Sequence, residues 1–448
     1  MNDAGIGGVE GFLANFRELE GELGTGPGWL VDRRRAALDR FAKLGLPTAK
    51  HEDWRFTNLR ALARTDFGVA ARPSVDAARA AIDGAPFADL GCPRAVIVDG
   101  HFVRELSSVA DGIDGVRVIG FARAADEGID VLPARFGRHA DIESDAFNAL
   151  NTAFARDGLV IHAPDGVVVK RPIHILSVTT TAAGPIATHG RYLIVAGVSS
   201  QLTVVETHVA TADRPYLTNP VTEIVAGANA HVDHYRVQAE SAGGFHIGSV
   251  HTWQDRDSVT STQTLSVGGQ MARNQAVVTL GGPGAEANLN GLYLVGDGEH
   301  VDNHTTLVHA AERCSSREVY KGVLDGAARA VFHGRIRVER DAQETDSYQT
   351  NNSLLLSNEA RVNTKPQLEI YADQVKCSHG ATIGQMDDDS VFYLRSRGID
   401  RQAAEGMLIY AFVSEVLDGV RVEALREPLE DRLFAWLPQG DVVREALR

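Results

Sequence analysis

Cys377 and His379 stand two residues apart in KCSHGAT, and in an extended segment that spacing puts both side chains on one face. A thiol beside an imidazole can hold a soft or borderline metal, or the imidazole can activate the thiol as a nucleophile. The pair also suits a plainer role, with the cysteine as a small buried hydrophobe and the histidine merely hydrogen-bonded. Spacing alone leaves these readings open.

Other chemistry-bearing residues are more diffuse. The segment EHVDNHTTLVH places imidazoles at His300, His304 and His309. It lacks the helical pair with an intervening glutamate seen in HExxH, so surface or turn histidines are expected rather than a metal set. Glu52, Asp53, Trp54 and Arg55 read as a polar loop with one aromatic anchor. Asp387, Asp388 and Asp389 read as a helix N-terminus, where acidic side chains meet free N–H groups. The chain contains no GxxxxGK[ST] phosphate loop and no GxSxG elbow, so neither P-loop nucleotide hydrolysis nor α/β-hydrolase chemistry is expected.

The elements that must position Cys377 and His379 fall into three regions, 1–155, 156–385 and 386–448. The first is mostly helical. Val9, Phe12, Leu13, Phe16, Leu19 and Leu23 have helical spacing, and so do Leu30, Ala37, Leu38, Phe41 and Leu44, with Gly24, Gly26, Pro27 and Gly28 between the two. AVIVDGHFV predicts strand–turn–strand around Asp99 and Gly100, and the run from Glu143 to Arg156 predicts a helix. From Gly158 to about Gly384 the pattern changes to short Val/Ile/Leu/Thr-rich runs separated by Gly, Asn, Asp and Pro-Gly turns. ANLNGLYLV (287–295) and AVFHGRIRV (330–338) superpose with Gly291 on Gly334, and ARVNTKPQLEI (360–370) is a looser third copy. A degenerate repeat of strands favours a β-solenoid over a sandwich or barrel. Pro366 predicts a turn at Thr364–Pro366 before an alternating strand, Gln367–Tyr371.

After Asp387 the spacing is helical again. Gly398 ends one helix and Asp400 caps the next, whose stretch Met407–Val413 is apolar nearly all round. Such a helix needs cover on more than one side, which suggests a partner surface including Met407, Leu408 and Phe412. Pro428 is expected in the first turn of the last helix, which carries Leu429, Leu433, Phe434 and Leu437.

Composition sets outer limits. The chain has 448 residues, 44% apolar and 23% charged, enough for a large core. Its net charge of −15 argues against nucleic acid or an anionic membrane as main partner. Cys92, Cys314 and Cys377 are far apart and odd in number, so a reducing compartment is expected. The N-terminus lacks the pattern of a signal peptide, and no apolar run reaches the ~18 residues that span a bilayer. A cytoplasmic location follows as the expectation.

One resemblance sharpens this reading. PQLEIYADQVKCSHGATIGQMD followed by FYLRSRGI, together with KHEDWRFTNL and HTTLVHAAERCSSREVYKGVLDG, resembles the SufB/SufD family of the SUF iron–sulfur cluster assembly system, on its SufD branch. The resemblance covers essentially the whole chain and is most specific in the last third. It implies a right-handed parallel β-helix core flanked by helical ends. It implies a scaffold rather than a stand-alone enzyme, paired with SufB and joined by two copies of the ATPase SufC, with a homodimer for the isolated chain. A transient iron–sulfur cluster and a reduced flavin are implied for the complex, with no cofactor held stably by this chain alone. The motif histidine carries over as His379, at the SufB interface and as the metal-holding candidate, with Cys377 beside it. The helices from Asp387 to Leu437 would dock SufC. Where SufB carries a scaffold cysteine in a TQCDSLL-like segment, this chain has YQTNNSLLLS with Asn351 in its place, and asparagine is a poor iron ligand. Two other functions remain: a β-solenoid interaction protein without metal chemistry, and a carbohydrate-active β-helix enzyme. The latter would need paired carboxylates, a secretion signal and exposed aromatics, whereas aromatic content is 6%.

Overall fold

From Gly158 to Gln385 the chain alternates between two facing sheets, one strand in each per turn. The computed structural model describes residues 8–109, 112–180, 184–211 and 213–447. In the first sheet the core strands run in spatial order Gly158–Ala163, Arg191–Ala196, Val221–Ala226, Gly244–Gln254, Met271–Leu280, His300–His309, Arg329–Val338, Arg361–Ile370. The second sheet orders Ile173–Thr179, Gln201–Ala210, His231–Ala239, Val259–Val267, Glu286–Val295, Ser315–Leu324, Thr345–Leu355, Val375–Gln385. Neighbours pair in parallel, as in Leu280 on His309 on Val338 on Ile370. This is the parallel β-solenoid core, with helices at both ends of the chain.

Register decides what fills the interior. Side chains alternate in and out along each strand, so one row of every strand points between the sheets. In the second sheet one inward column is His234, Thr262, Leu289, Glu318, Gln349 and His379, each paired with the next. The next column is Gly291, Tyr320 and Asn351. Gly291 is required there, because a Cβ would sit 2.0 Å from the Tyr320 ring. Tyr293 lies in the same way against Gly322.

Six successive turns leave the first sheet through a corner that uses the left-handed region. Ser199, Asn229, Asp257, Gly284, Arg313 and Glu344 all have positive φ, from 54° to 73°. Their N–H groups donate to Ala228, Arg256, Pro283, Glu312, Gln343 and Gln374 carbonyls respectively, so the backbone ladder continues round the corner. A side chain other than glycine gives up roughly 1 kcal/mol or more there, which the ladder offsets.

The helices cover the outer faces. Gly8–Leu23 and Gly28–Leu44 meet through Phe12 and Phe41, ring centroids 5.9 Å apart. They pack with Ala146–Ala153 over Leu217, Phe245, Ile247 and Met271 of the first sheet. Asp145 caps that third helix by accepting from the N–H groups of Phe147 and Asn148, both at 2.9 Å. Asp99 and Gly100 make the expected turn between Arg94–Val98 and His101–Phe102, with φ 50° and 81°. The C-terminal helices Arg401–Asp418 and Glu423–Trp436 bury Ile409, Val413, Leu425 and Leu429 against Tyr235, Val237, Leu265 and Leu292 on the outside of the second sheet.

Several local expectations are corrected. Thr364–Pro366 is no turn: Arg361–Ile370 is one strand with Pro366 in its middle. That strand pairs on one side only, and a missing N–H is tolerated on an edge. The superposition of Gly291 on Gly334 joins strands of opposite sheets; Gly334 instead pairs with Pro366, so the second and third copies are true neighbours. Pro428 lies inside the helix Glu423–Trp436, and a further helix, Gly440–Leu447, follows it. Burial of Leu425 on one side of the proline and Leu429 on the other holds that helix across it.

Candidate functional site

Cys377 and His379 lie on Val375–Gln385, the last strand of the second sheet. Among the described residues this strand pairs only with Thr345–Leu355, and Arg361–Ile370 pairs only with Arg329–Val338. Both sheets therefore end in bare edges at the same end of the solenoid. The two residues do share a face, as their spacing predicts: Cys377 stacks on Ser347 and His379 on Gln349, both buried. Cys377 is half-buried against the interior cluster of Tyr320 and Phe332, while His379 is exposed. Ala381 and Ile383 continue the row. The interior opens here into a cleft of about 600 Å³ lined by Leu355, Ala360, Val362 and Ile383.

Burial, reinforced by Asp346, pushes the Cys377 thiol above its ordinary value. It stays protonated at neutral pH, so His379 does not make it an activated nucleophile. Asn351 is fully buried and donates to Tyr293 Oη at 3.0 Å. It is a hydrogen-bonding node of the interior. Below His379 the column continues through Gln349, whose Nε2 donates to Glu318 Oε2 at 2.7 Å. Burial pushes the Glu318 carboxyl up to about 7, partly opposed by Thr305 and Gln349.

Residues expected to dock a partner sit on the helix Arg401–Asp418. Met407 and Phe412 are half-buried against the second sheet, and Lys321 Nζ lies 5.1 Å from the Phe412 ring and donates to its carbonyl at 2.8 Å. The solenoid itself thus supplies the cover that the apolar stretch requires. Leu408 is half-exposed and lines a shallow surface depression with Tyr393 and Leu394. Beside it, Phe392 and Tyr393 are 71% and 56% exposed. Asp387 caps their helix, accepting from Asp389 N–H at 3.2 Å and the Ser390 hydroxyl at 2.6 Å, so the acidic run is a cap as expected.

The histidines of EHVDNHTTLVH occupy one strand rather than turns. His309 points inward and is fully buried, 2.9 Å from Ser316 Oγ. His300 and His304 point outward, and His304 pairs in register with His333 on the next strand. Neither His300 nor His309 joins that pair. Reading one strand at a time misses it, whereas the turn length would have found it. Interior ionic groups also went unseen. Glu206 accepts from Arg236 Nη2 at 2.7 Å and lies 2.6 Å from His208 and 3.0 Å from His234. Burial raises this carboxyl, but Arg236 and the two histidines outweigh it and hold it well below the usual carboxylate range.

The class is that of two-sheet parallel β-solenoids with helical flanks, here with a cysteine and a histidine side by side on the open terminal strand. Comparison with known proteins makes this specific. The family model described as "SUF system FeS cluster assembly, SufBD core domain" matches residues 178–412, and "SufBD protein N-terminal region" matches residues 22–175. The chain belongs to the SufBD family. It is 34% identical over 422 residues to the iron–sulfur cluster assembly SufBD family protein slr0076 of Synechocystis, covering 92% of each chain. It is 33% identical over 409 residues to the iron–sulfur cluster assembly protein SufD of Escherichia coli, covering 90% of this chain and 92% of that one. It is also 31% identical over 351 residues to the chloroplastic protein ABCI7 of Arabidopsis thaliana, covering 77% and 73%. A role in SUF iron–sulfur cluster assembly follows from this membership. Among the described residues no helix is long and apolar enough to cross a membrane.

Proposed function

We propose that this chain is a SufD-type scaffold subunit of the cytoplasm that catalyses no reaction alone. In this reading it pairs with a SufB-like solenoid through its open end and docks a SufC-type ATPase on its C-terminal helices. The observation that carries the reading is the pair of bare terminal strands, Arg361–Ile370 and Val375–Gln385, at the end that bears Cys377 and His379. Unpaired edge groups are templates for another strand, and two homologous solenoids can satisfy each other there. His379 then faces the junction and serves as an auxiliary ligand or proton-transfer group while the partner supplies thiolate. Neutral imidazole binds iron and exchanges protons near neutral pH. The iron–sulfur cluster is transient cargo and a reduced flavin joins the complex, with no cofactor held stably by this chain alone.

The test is His379→Ala in the co-expressed complex, with iron and acid-labile sulfide measured beside subunit stoichiometry. Cluster content should fall sharply while the complex stays assembled, and Cys377→Ser should do less. Wild-type cluster content in an intact His379→Ala complex would sink the role given to His379. A crosslink map placing Cys377 far from the paralogue would refute the pairing.

A further inference from the structure

A second group of metal-competent side chains lies on the outer face of the first sheet, away from the open edge of the second. The loop carrying Asp53 and Trp54 folds against this face and is held by several contacts. Trp54 packs on Phe147 with ring centroids 5.4 Å apart, and the Arg273 guanidinium lies 3.9 Å from the Trp54 ring. Arg273 also donates to the Asp53 carbonyl at 3.0 Å, and Glu52 pairs with Lys365. Asp53 is thereby brought to His304 and His333, whose rings are 4.9 Å apart and close to perpendicular. The three residues offer ligand atoms that all lie within 4.8 Å of one another.

We propose that Asp53, His304 and His333 form a binding site for a divalent first-row transition metal ion of the ferrous iron or zinc type. The proposal goes beyond the scaffold reading and does not depend on His379. Two imidazoles and one carboxylate are a borderline donor set that suits these ions and leaves coordination positions open. Outer partners orient both rings. His333 Nε2 donates to Gln367 Oε1 at 2.9 Å, and His304 Nε2 stands 2.9 Å from Asp302 Oδ1. Each ring thus keeps Nδ1 as its free nitrogen, the arrangement that metal-bound histidines show with a carboxylate or carbonyl behind them. His333 Nδ1 is 3.6 Å from Asp53 Oδ1, too far for a hydrogen bond, so the contact as it stands is incomplete.

The local charges also suit a cation. Arg273 is paired with Asp302, and Arg335 lies 3.5 Å from Glu369, so both nearby guanidinium groups are already matched. Access is open: the group borders a cavity of about 530 Å³, and Asp53 is exposed. Metal–ligand bonds of about 2.1 Å need the ligand atoms to draw together by about 1 Å, which a surface aspartate side chain can supply.

The test is anaerobic titration of the chelator-treated full chain with Co²⁺, read by d–d absorption and by equilibrium dialysis. One Co²⁺ per chain is expected at this site. The His304→Ala/His333→Ala double variant should lose it, and Asp53→Asn should weaken it on the order of 10-fold. Far-UV circular dichroism and the melting temperature check the double variant's fold, and Asp53→Asn changes an exposed side chain that cannot disturb it. A wild-type chain that binds no Co²⁺ below millimolar concentration overturns the proposal. So does a double variant, or Asp53→Asn, that binds as tightly as wild type. The Cys377→Ser/His379→Ala variant, run in parallel, should keep this ion. Loss of Co²⁺ there with retention in the double variant would place the metal at the solenoid end, overturning this site and leaving the scaffold reading intact.

Discussion

Glu318→Gln should remove a pH dependence that the fold builds into its own interior. Glu318 is fully buried, accepts one hydrogen bond from Gln349, and has its carboxyl pushed up to about 7 by burial. In the unfolded chain the group titrates near its ordinary value of 4.5. Between those two values the folded protein holds the proton and the unfolded chain does not. The stabilisation from the protonated acid is therefore fully present below about pH 4.5 and is lost as pH rises through 7. At about 1.4 kcal/mol per tenfold change in proton affinity, the loss is on the order of 3 kcal/mol by pH 8. Glutamine copies the protonated acid in shape and still accepts from Gln349, but it cannot ionise. The assay is chemical denaturation of wild type and variant at pH 5 and pH 8, compared as a difference so that every shared titration cancels. The variant should exceed wild type by about 1 kcal/mol at pH 5 and by about 3 kcal/mol at pH 8. A difference between variant and wild type that is the same at both pH values would refute the reasoning.

Other outcomes follow from single contacts. Gly291→Ala puts a Cβ 2.0 Å from the Tyr320 ring and should cost about 1–3 kcal/mol through overpacking, read as a lower melting temperature. Arg313→Gly relieves a left-handed corner at φ 57° and should raise stability by up to about 1 kcal/mol in the same assay. Leu408→Asp, on the half-exposed side of its helix, should leave the chain folded but weaken co-elution with a SufC-type ATPase on size exclusion by more than tenfold, since burying a leucine contributes about 1.5–3 kcal/mol.

What was legible in the sequence was local, and what was not depended on register. The DG turn at Asp99–Gly100, the caps at Asp387 and Asp400 and the amphipathic helices follow from short-range chemistry, and all appear as expected. The repeat was only half visible because the position that fixes each corner has no common residue type: Ser199, Asn229, Asp257, Gly284, Arg313 and Glu344 share a φ, not a side chain. Without the turn length, Gly291 was set on Gly334 although they lie in different sheets. The same gap hid His304 beside His333, which neighbour each other only through the register of adjacent strands. Pro366 predicts a turn from sequence, yet it sits within a strand, because its cost depends on which side of the strand is bare, and that is a property of the sheet. That Cys377 and His379 share a face follows from sequence alone, because an extended backbone fixes their relation.

The two ends of the solenoid differ in a way that bears on its work. At the first end each sheet is closed by antiparallel strands: Arg94–Val98 runs on to His101–Phe102 in one, and Arg117–Gly120 lies against Gly158–Ala163 in the other. Solenoids need such caps, because each coil otherwise leaves backbone groups and interior side chains in water. At the other end Arg361–Ile370 is blunted by Pro366 and by the charges of Arg361, Lys365 and Glu369, whereas Val375–Gln385 carries a single charge, Lys376. Ile383, Ile370 and Tyr371 stand exposed beside the mouth of the interior, at 49%, 39% and 57%. A bare edge of this length invites aggregation in a monomer, and natural sheets avoid it by charge, twist or cover. The few charges leave two full rows of backbone groups unpaired, and cover satisfies them. A homologous solenoid can provide it with matching strand spacing, and its arrival would enclose the row that runs from Cys377 through His379 to Ile383. That favours a site completed by association rather than one that works in the isolated chain.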